Sequence, residues 1–205
     1  LDGTVPKNKR MQYLSIVSQE MQRLKILISS MLNLTKFDNG TIEIHYQLFP
    51  IQDLAFRTIL MFESRLEKRN ITLEGLDSEP VQVWGDPDLI GQVIYNLFEN
   101  ATKFVNTGGT ITFTFKDEPN NTSIAIRNTG AGISKEELPK IFERFYKSDD
   151  SRSHDKTGLG IGLDITKHIV RLHKAQISVS SEEGEYTEFL IRLPKKDAPA
   201  ESPTE

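Results

Sequence analysis

The sequence predicts an α+β protein, a two-layer sandwich with helices covering one face of a sheet, preceded by one long coiled-coil-like helix. Three observations lead there. From about Lys7 to Phe37 the chain has no glycine or proline and carries apolar residues at heptad spacing. Beyond it, short stretches alternating apolar and polar side chains interleave with amphipathic stretches of helical period. The strands fall in pairs across short turns, which suits antiparallel pairing with the helices gathered into one layer.

In the first helix Leu14, Val17, Met21, Leu24, Ile28 and Met31 form a heptad seam, and Asp38, Asn39 and Gly40 stop it. Alone, such a seam would face water, so it calls for a second helix from this chain or another copy, or for packing on the chain's own globular part. "TIEIHYQLF" (41–49) is expected as a strand, and Pro50 leads into a helix over Ile51 to Lys68. "ITLEGL" and "VQVWG" read as short strands. Asp86 followed by Pro87 is an N-cap with proline in the first turn, opening the next helix. "GGTITFTF" and "TSIAIRN" flank turn residues Glu118 to Asn121 as an antiparallel pair, and a helix is expected around Lys135 to Tyr146. "KSDDSRSHDKTG" lacks apolar anchors and reads as a loop. "GLGIGL" opens a last helix ending near His173, "AQISVSS" and "TEFLIRLP" make a hairpin around Glu182 to Glu185, and "KKDAPAESPTE" is a solvated tail. The expected domains are 1–40 (helical), 41–195 (sandwich) and 196–205 (tail).

With 205 residues, 37% hydrophobic and 26% charged, the chain can bury one good core plus a smaller appendage. The net charge of −4 offers no basic field, so neither nucleic acid nor an anionic membrane is an expected partner. The absence of cysteine excludes disulfides, a thiol nucleophile and a cysteine zinc site, and is compatible with a reducing compartment. No apolar run approaches the roughly 20 residues of a membrane span.

Chemistry concentrates in three places. In "NLFENATKF" (96–104) each residue advances about 100°, so with Asn96 at zero Asn100 falls near +40°, Lys103 near −20° and Gln92 near −40°. Ile94, Leu97 and Ala101 gather on the far side. The polar stripe fits a solvated surface or a ligand-facing one. "NTGAGI" (128–133) follows a strand, and "KTGLGIGL" (156–163) enters a helix. Glycines at alternate positions let backbone approach a bulky ligand, and a helix start favours an anion, although hairpins and caps also explain glycines. A Walker phosphate loop is absent, and the dinucleotide fingerprint fits poorly.

In this order the stripe and the two glycine turns resemble the ATP-binding catalytic domain of sensor histidine kinases, in the Bergerat-fold group that also holds gyrase-type ATPases. "NLFENATKF" is similar to their N box, "NTGAGI" to their G1 box, "IFERFYKSD" (141–149) to their F box and "GLGIGL" to their G2 box. The first helix resembles the second helix of the family's dimerisation hairpin, and "NLTKFDNG" its junction to the catalytic domain. The resemblance implies a mixed sheet with helices on one face, binding of ATP and Mg²⁺, a homodimer in the intact protein, a response-regulator receiver domain as partner, and a cytoplasmic location.

Residue by residue, it implies that Asn100 coordinates Mg²⁺, that Asn96 and Lys103 contact phosphates, and that Phe104 flanks the nucleotide. The G1 residues Asn128, Gly130, Gly132 and Ile133 would line the base, with Thr187 assisting a water-mediated contact to adenine. Gly158, Leu159 and Gly160 would hold the phosphate tail under a lid of residues 147–157, with Lys147 and Arg152 reaching the γ-phosphate. Asn100, Lys103 and Lys147 are thus the catalytic candidates. Phe142 and Phe145 would couple lid to domain or pack in the core. Two departures stand out. The family's G1 aspartate is Asn128 here, an uncharged acceptor. None of His45, His154, His168 or His173 lies in the acidic and proline context of the family's phosphoacceptor. The expectation is a fragment that opens between the two hairpin helices, retaining the phosphoryl-transfer apparatus without its own acceptor. The alternatives are a nucleotide-sensing pseudokinase and another Bergerat ATPase that hydrolyses ATP.

Overall fold

The computed structural model describes residues 43–147 and 160–196, together with Tyr13, Leu14, Val17, Ser18, Met21 and Leu24. The chain divides into two compact units, Leu1–Ile42 and Glu43–Glu205. In the first, the six described positions are helical, and the seam residues Leu14, Val17, Met21 and Leu24 are between 50% and 62% exposed. Ile28 and Met31 lie outside the described residues.

The second unit begins with β1 (Gln47–Pro50), α1 (Ile51–Lys68), β2 (Thr72–Glu74), β3 (Gln82–Gly85) and α2 (Pro87–Phe104). It continues with β4 (Thr110–Asp117), β5 (Asn121–Thr129), α3 (Gly162–Leu172), β6 (Gln176–Glu182) and β7 (Tyr186–Pro194). Five strands form one sheet in the order β2-β4-β5-β7-β6. It is mixed, because β2 runs parallel to β4 while every other pair is antiparallel. The pleat sends alternate side chains to one face, and the register aligns them in rows. Phe113, Ile126, Phe189 and Val179 make one row, and Phe115, Ile124, Ile191 and Ile177 the next. Against this face packs α2, with Phe98 tilted against Phe113 at 5.5 Å between ring centroids. Phe62 of α1 in turn meets both Tyr95 and Phe98. Arg127, on the opposite face of β5, is exposed, its guanidinium 3.7 Å above the ring of Tyr186.

α1 spans the predicted residues, with Asp53 in its first turn and Arg65 and Lys68 in its last, as the helix dipole favours. At the start of α2 one Asp86 oxygen accepts from the N–H groups of Asp88 and Leu89. The other accepts from the N–H of His45 at 2.9 Å. Here the expected strand over 41–49 shrinks to β1, paired only with β3. The His45 N–H goes to a side chain instead of a ladder, and the Tyr46 ring rests on Trp84 and His173. The helix expected around Lys135 to Tyr146 is a succession of turns. Glu137 and Leu138 donate to Ser134, Lys140 to Glu137 and Glu143 to Lys140. Pro139 has no N–H to give and disfavours helical geometry at Leu138, which breaks the helix before it can propagate.

His173 joins the end of α3 to the start of α2. Its Nε2 accepts from the Asp86 N–H at 3.1 Å, so the ring proton sits on Nδ1, which donates to the Ile169 carbonyl. Burial pushes its pKa below the usual histidine value, although the Ile169 carbonyl and the Asp86 carboxylate pull the other way. A depressed histidine contributes stability above its unfolded value of 6.5 that is lost as pH falls towards the folded value. Urea unfolding should therefore show lower stability at pH 5.5 than at pH 7.5, with the difference reduced in His173→Gln. An equal difference in variant and parent would remove His173 as the cause.

Candidate functional site

At one end of the helix-facing side of the sheet the apolar rows give way to polar residues. Continuing the pleat, Ile111 is followed across the strands by Asn128, Thr187 and Ser181. Asn128 and Thr187 are Cα partners, 3% and 5% exposed. The Nδ2 of Asn128 donates to the Thr129 carbonyl at 3.1 Å. The Ser181 hydroxyl donates to the Tyr186 carbonyl at 2.6 Å, accepts from the Ile133 N–H at 2.8 Å and lies 3.0 Å from the Thr187 hydroxyl.

The glycine loop after β5 is fixed by close backbone approaches. A Cβ on Gly130 would stand 2.2 Å from the Phe104 carbonyl oxygen, and one on Gly132 2.2 Å from that of Glu182. Gly132 also has φ +71°, the left-handed region that glycine enters freely. The Gly130 N–H donates to Glu185, and Gly184 donates to Ala131. Val105 bridges to Gly130, which pins the end of α2 beside the loop.

α2 carries the polar stripe from this loop to the start of α3. Asn96 is buried, and its Nδ2 donates to the Gly162 carbonyl at 3.0 Å and to the Thr166 hydroxyl at 3.4 Å. Gly162 is close to that side chain, a Cβ there falling 3.6 Å from the Asn96 Cγ. The start of α3 has no side-chain cap. Gly160 (φ +69°) precedes it and accepts from the Phe145 N–H at 3.0 Å. Lys103 pairs with Glu99 at 3.3 Å, Asn100 is half-buried and Phe104 is 42% exposed. Arg144 reaches back to Asp164 in the first turn of α3 at 3.0 Å, Phe142 stands edge-on to Phe189, and Phe145 is exposed.

The structure thus brings Asn128, Thr187, Gly130, Gly132 and Ile133 into one cluster with Phe104, and sets Asn96 against the glycine entry to α3. Lys147 is half-buried at the end of the turn segment. Arg152, Gly158 and Leu159 lie outside the described residues. Ser181, Thr166, Asp164 and Arg144 were not singled out from the sequence. For Ser181 a signal existed, a hydroxyl at the inward parity of Ile177 and Val179. Among the described residues no group of three or more His, Asp or Glu side chains could hold a metal ion. An oxygen donor there would be a neutral amide such as Asn100. That suits Mg²⁺, a hard cation that keeps several waters and takes other ligands from substrate phosphates.

A mixed sheet with helices on one face, a glycine loop at its polar end and a second glycine turn opening α3 define a class. Residues 85–197 match the model of the histidine kinase-, DNA gyrase B- and HSP90-like ATPases, and the chain belongs to that family. It is similar to the sensor protein SrrB of Staphylococcus aureus, 32% identical over 199 residues that cover 96% of this chain and 34% of SrrB. The chain thus spans about a third of the length of the curated relatives it matches. Among solved structures, the catalytic domain of histidine kinase ThkA is 28% identical with a TM-score of 0.64, covering 74% of this chain and 96% of that one. ThkA in complex with response regulator protein TrrA aligns over 96% of this chain and 53% of ThkA, with a TM-score of 0.65 at 24% identity.

The loop geometry carries a direct test. Gly132→Ala should destabilise the protein by roughly 1–3 kcal/mol through the left-handed backbone and the Glu182 contact. The Ile133 amide should then exchange faster with solvent, read by hydrogen exchange. Unaltered exchange at Ile133 would show that the loop does not depend on this glycine.

Proposed function

We propose that this chain is the ATP-binding catalytic portion of a sensor histidine kinase, transferring the γ-phosphoryl group of ATP to a histidine outside these 205 residues. One observation carries the proposal. The buried polar row at Asn128 and Thr187 and the uncapped, glycine-flanked start of α3 stand at the two ends of the α2 stripe. A base fits the first end and phosphates the second, because free N–H groups and the helix dipole favour an anion there.

In this reading Asn128 accepts a hydrogen bond from the adenine amino group, and Gly130 and Gly132 let the base edge approach the backbone. The helix start and Gly160 take the phosphates. Lys103 can exchange Glu99 for a phosphate oxygen, and Lys147 and Arg152 supply further positive charge. Asn100 would hold Mg²⁺, which when bound supplies neutralisation of the triphosphate charge. The acceptor nitrogen attacks the γ-phosphorus and ADP departs, so the domain contributes positioning and electrostatics with little acid–base chemistry. Glu99 is paired with Lys103 and is assigned no role as base.

The same reading gives the exposed seam of Leu14, Val17, Met21 and Leu24 a partner helix, as in a homodimer. It also gives the phosphorylated protein a response-regulator receiver domain as partner and the chain a cytoplasmic location. The ThkA complex with TrrA supports such a partner by similarity. Asn128 favours a second reading, a nucleotide-sensing module without transfer, since a neutral acceptor binds an amine less strongly than a carboxylate.

Titration should show magnesium-dependent ATP binding in the micromolar to millimolar range, and Asn100→Ala should lose the magnesium-dependent part. Asn128→Asp should tighten ATP by about fivefold, corresponding to roughly 1 kcal/mol. With a hairpin helix bearing the acceptor histidine added in trans, labelled ATP should yield acid-labile phosphohistidine. Binding without transfer would favour the sensing module, and hydrolysis without phosphoprotein another ATPase of the family.

A further inference from the structure

The Ser181 hydroxyl has one proton and three close partners. Its contact with the Tyr186 oxygen, at 2.6 Å, must use that proton, because a carbonyl only accepts. The Ile133 N–H, at 2.8 Å, must donate to it. The third partner is Thr187 at 3.0 Å, and with the serine proton already committed the threonine must donate. Thr187 therefore turns its proton towards β6 and keeps only lone pairs for anything else. Its neighbour Asn128 is oriented by a single bond of its amide nitrogen. The Thr129 carbonyl holds the amide nitrogen, which leaves Oδ1 on the other side with no partner among the described residues. Both side chains are nearly buried and stand opposite each other across β5 and β7. The polar end of the sheet thus presents acceptors at Thr187 Oγ1 and Asn128 Oδ1, and of its two side chains only the amide of Asn128 keeps a proton, its second, uncommitted.

We propose that Ser181 is a positioning residue that sets nucleobase selectivity. By claiming the Thr187 proton, it leaves that hydroxyl able to accept from an amino group and unable to donate to a carbonyl. The proposal rests on the nucleotide reading above and assigns a determinant to a residue on β6. Without the serine hydroxyl the Thr187 proton is free to rotate, and threonine could then donate to a base carbonyl. Selectivity would weaken even though Thr187 and Asn128 remain in place.

ATP and inosine triphosphate form the matched pair of probes, because position 6 of the base carries an amino group in one and a carbonyl in the other. Both should be titrated with Mg²⁺ into the parent chain, Ser181→Ala and Ser181→Thr. The parent should prefer ATP, and Ser181→Ala should reduce that preference by about tenfold, the equivalent of one hydrogen bond of about 1.4 kcal/mol. Ser181→Thr, which keeps the hydroxyl, should restore it. A loop loosened in Ser181→Ala lowers both affinities together and leaves their ratio alone. An unchanged ratio with weakened binding of both, or failure of Ser181→Thr to restore the preference, would overturn the role of Ser181. A parent chain that binds neither nucleotide would instead overturn the nucleotide reading, and the proposal with it.

Discussion

The rotation of α2 about its own axis is the constraint on which the site depends. Leu97, Phe98 and Ile94 are wholly buried, with Phe98 wedged between Phe62 of α1 and Phe113 of β4. Burying such side chains is worth roughly 1.5–3 kcal/mol each. The hydrogen bond from Asn96 to Gly162 returns about 1 kcal/mol. Apolar packing therefore decides which way the helix turns, and Asn96, Asn100 and Lys103 face where that packing leaves them. The Asn96 bond then sets the start of α3 against the stripe.

A sheet covered by helices on one side has no obvious place for a ligand, since its inward face is the core. Here the inward face itself changes chemistry. Two rows are apolar, and the next holds Asn128, Thr187 and Ser181. Glycines at 130 and 132 bring backbone within contact of Phe104 and Glu182, where a side chain would push the elements apart. The polar end is thereby closed by main chain and kept rigid by the hydroxyl of Ser181. Near the middle of α2, where Asn96 meets Gly162, the start of α3 has no side-chain cap and so offers N–H groups to an anion. Recognition of a base and of phosphates would thus come from different elements, held apart by about two turns of one helix.

Much of this was legible in the residues. Asp86 and Pro87 marked the start of α2, and the alternation of "GGTITFTF" and "TSIAIRN" gave a hairpin that the register bears out. The helical angles of Asn96, Asn100 and Lys103 separated them from the apolar face, but periodicity could not show that α3 covers Asn96. The amide is buried because a remote element packs there, which no local pattern encodes. The turn segment after Ser134 misled because its composition favours helix while Pro139 denies it the hydrogen bonds. The early strand misled because Asp86, distant in sequence, takes the backbone donor of His45. In "ISVSS" the alternation sets Ser181 on the face of Ile177 and Val179, but only the registry of β6 with β7 shows that it stands beside Thr187.

The most direct measurement is a backbone amide chemical-shift map of this chain titrated with magnesium and a non-hydrolysable ATP analogue. The account predicts the largest changes at Asn128 to Ile133, at Thr187 and at Gly160 to Leu163, joined by the stripe of α2. Changes confined to the open face of the sheet around Arg127, Glu188 and Arg192, or none at saturating nucleotide, would contradict it.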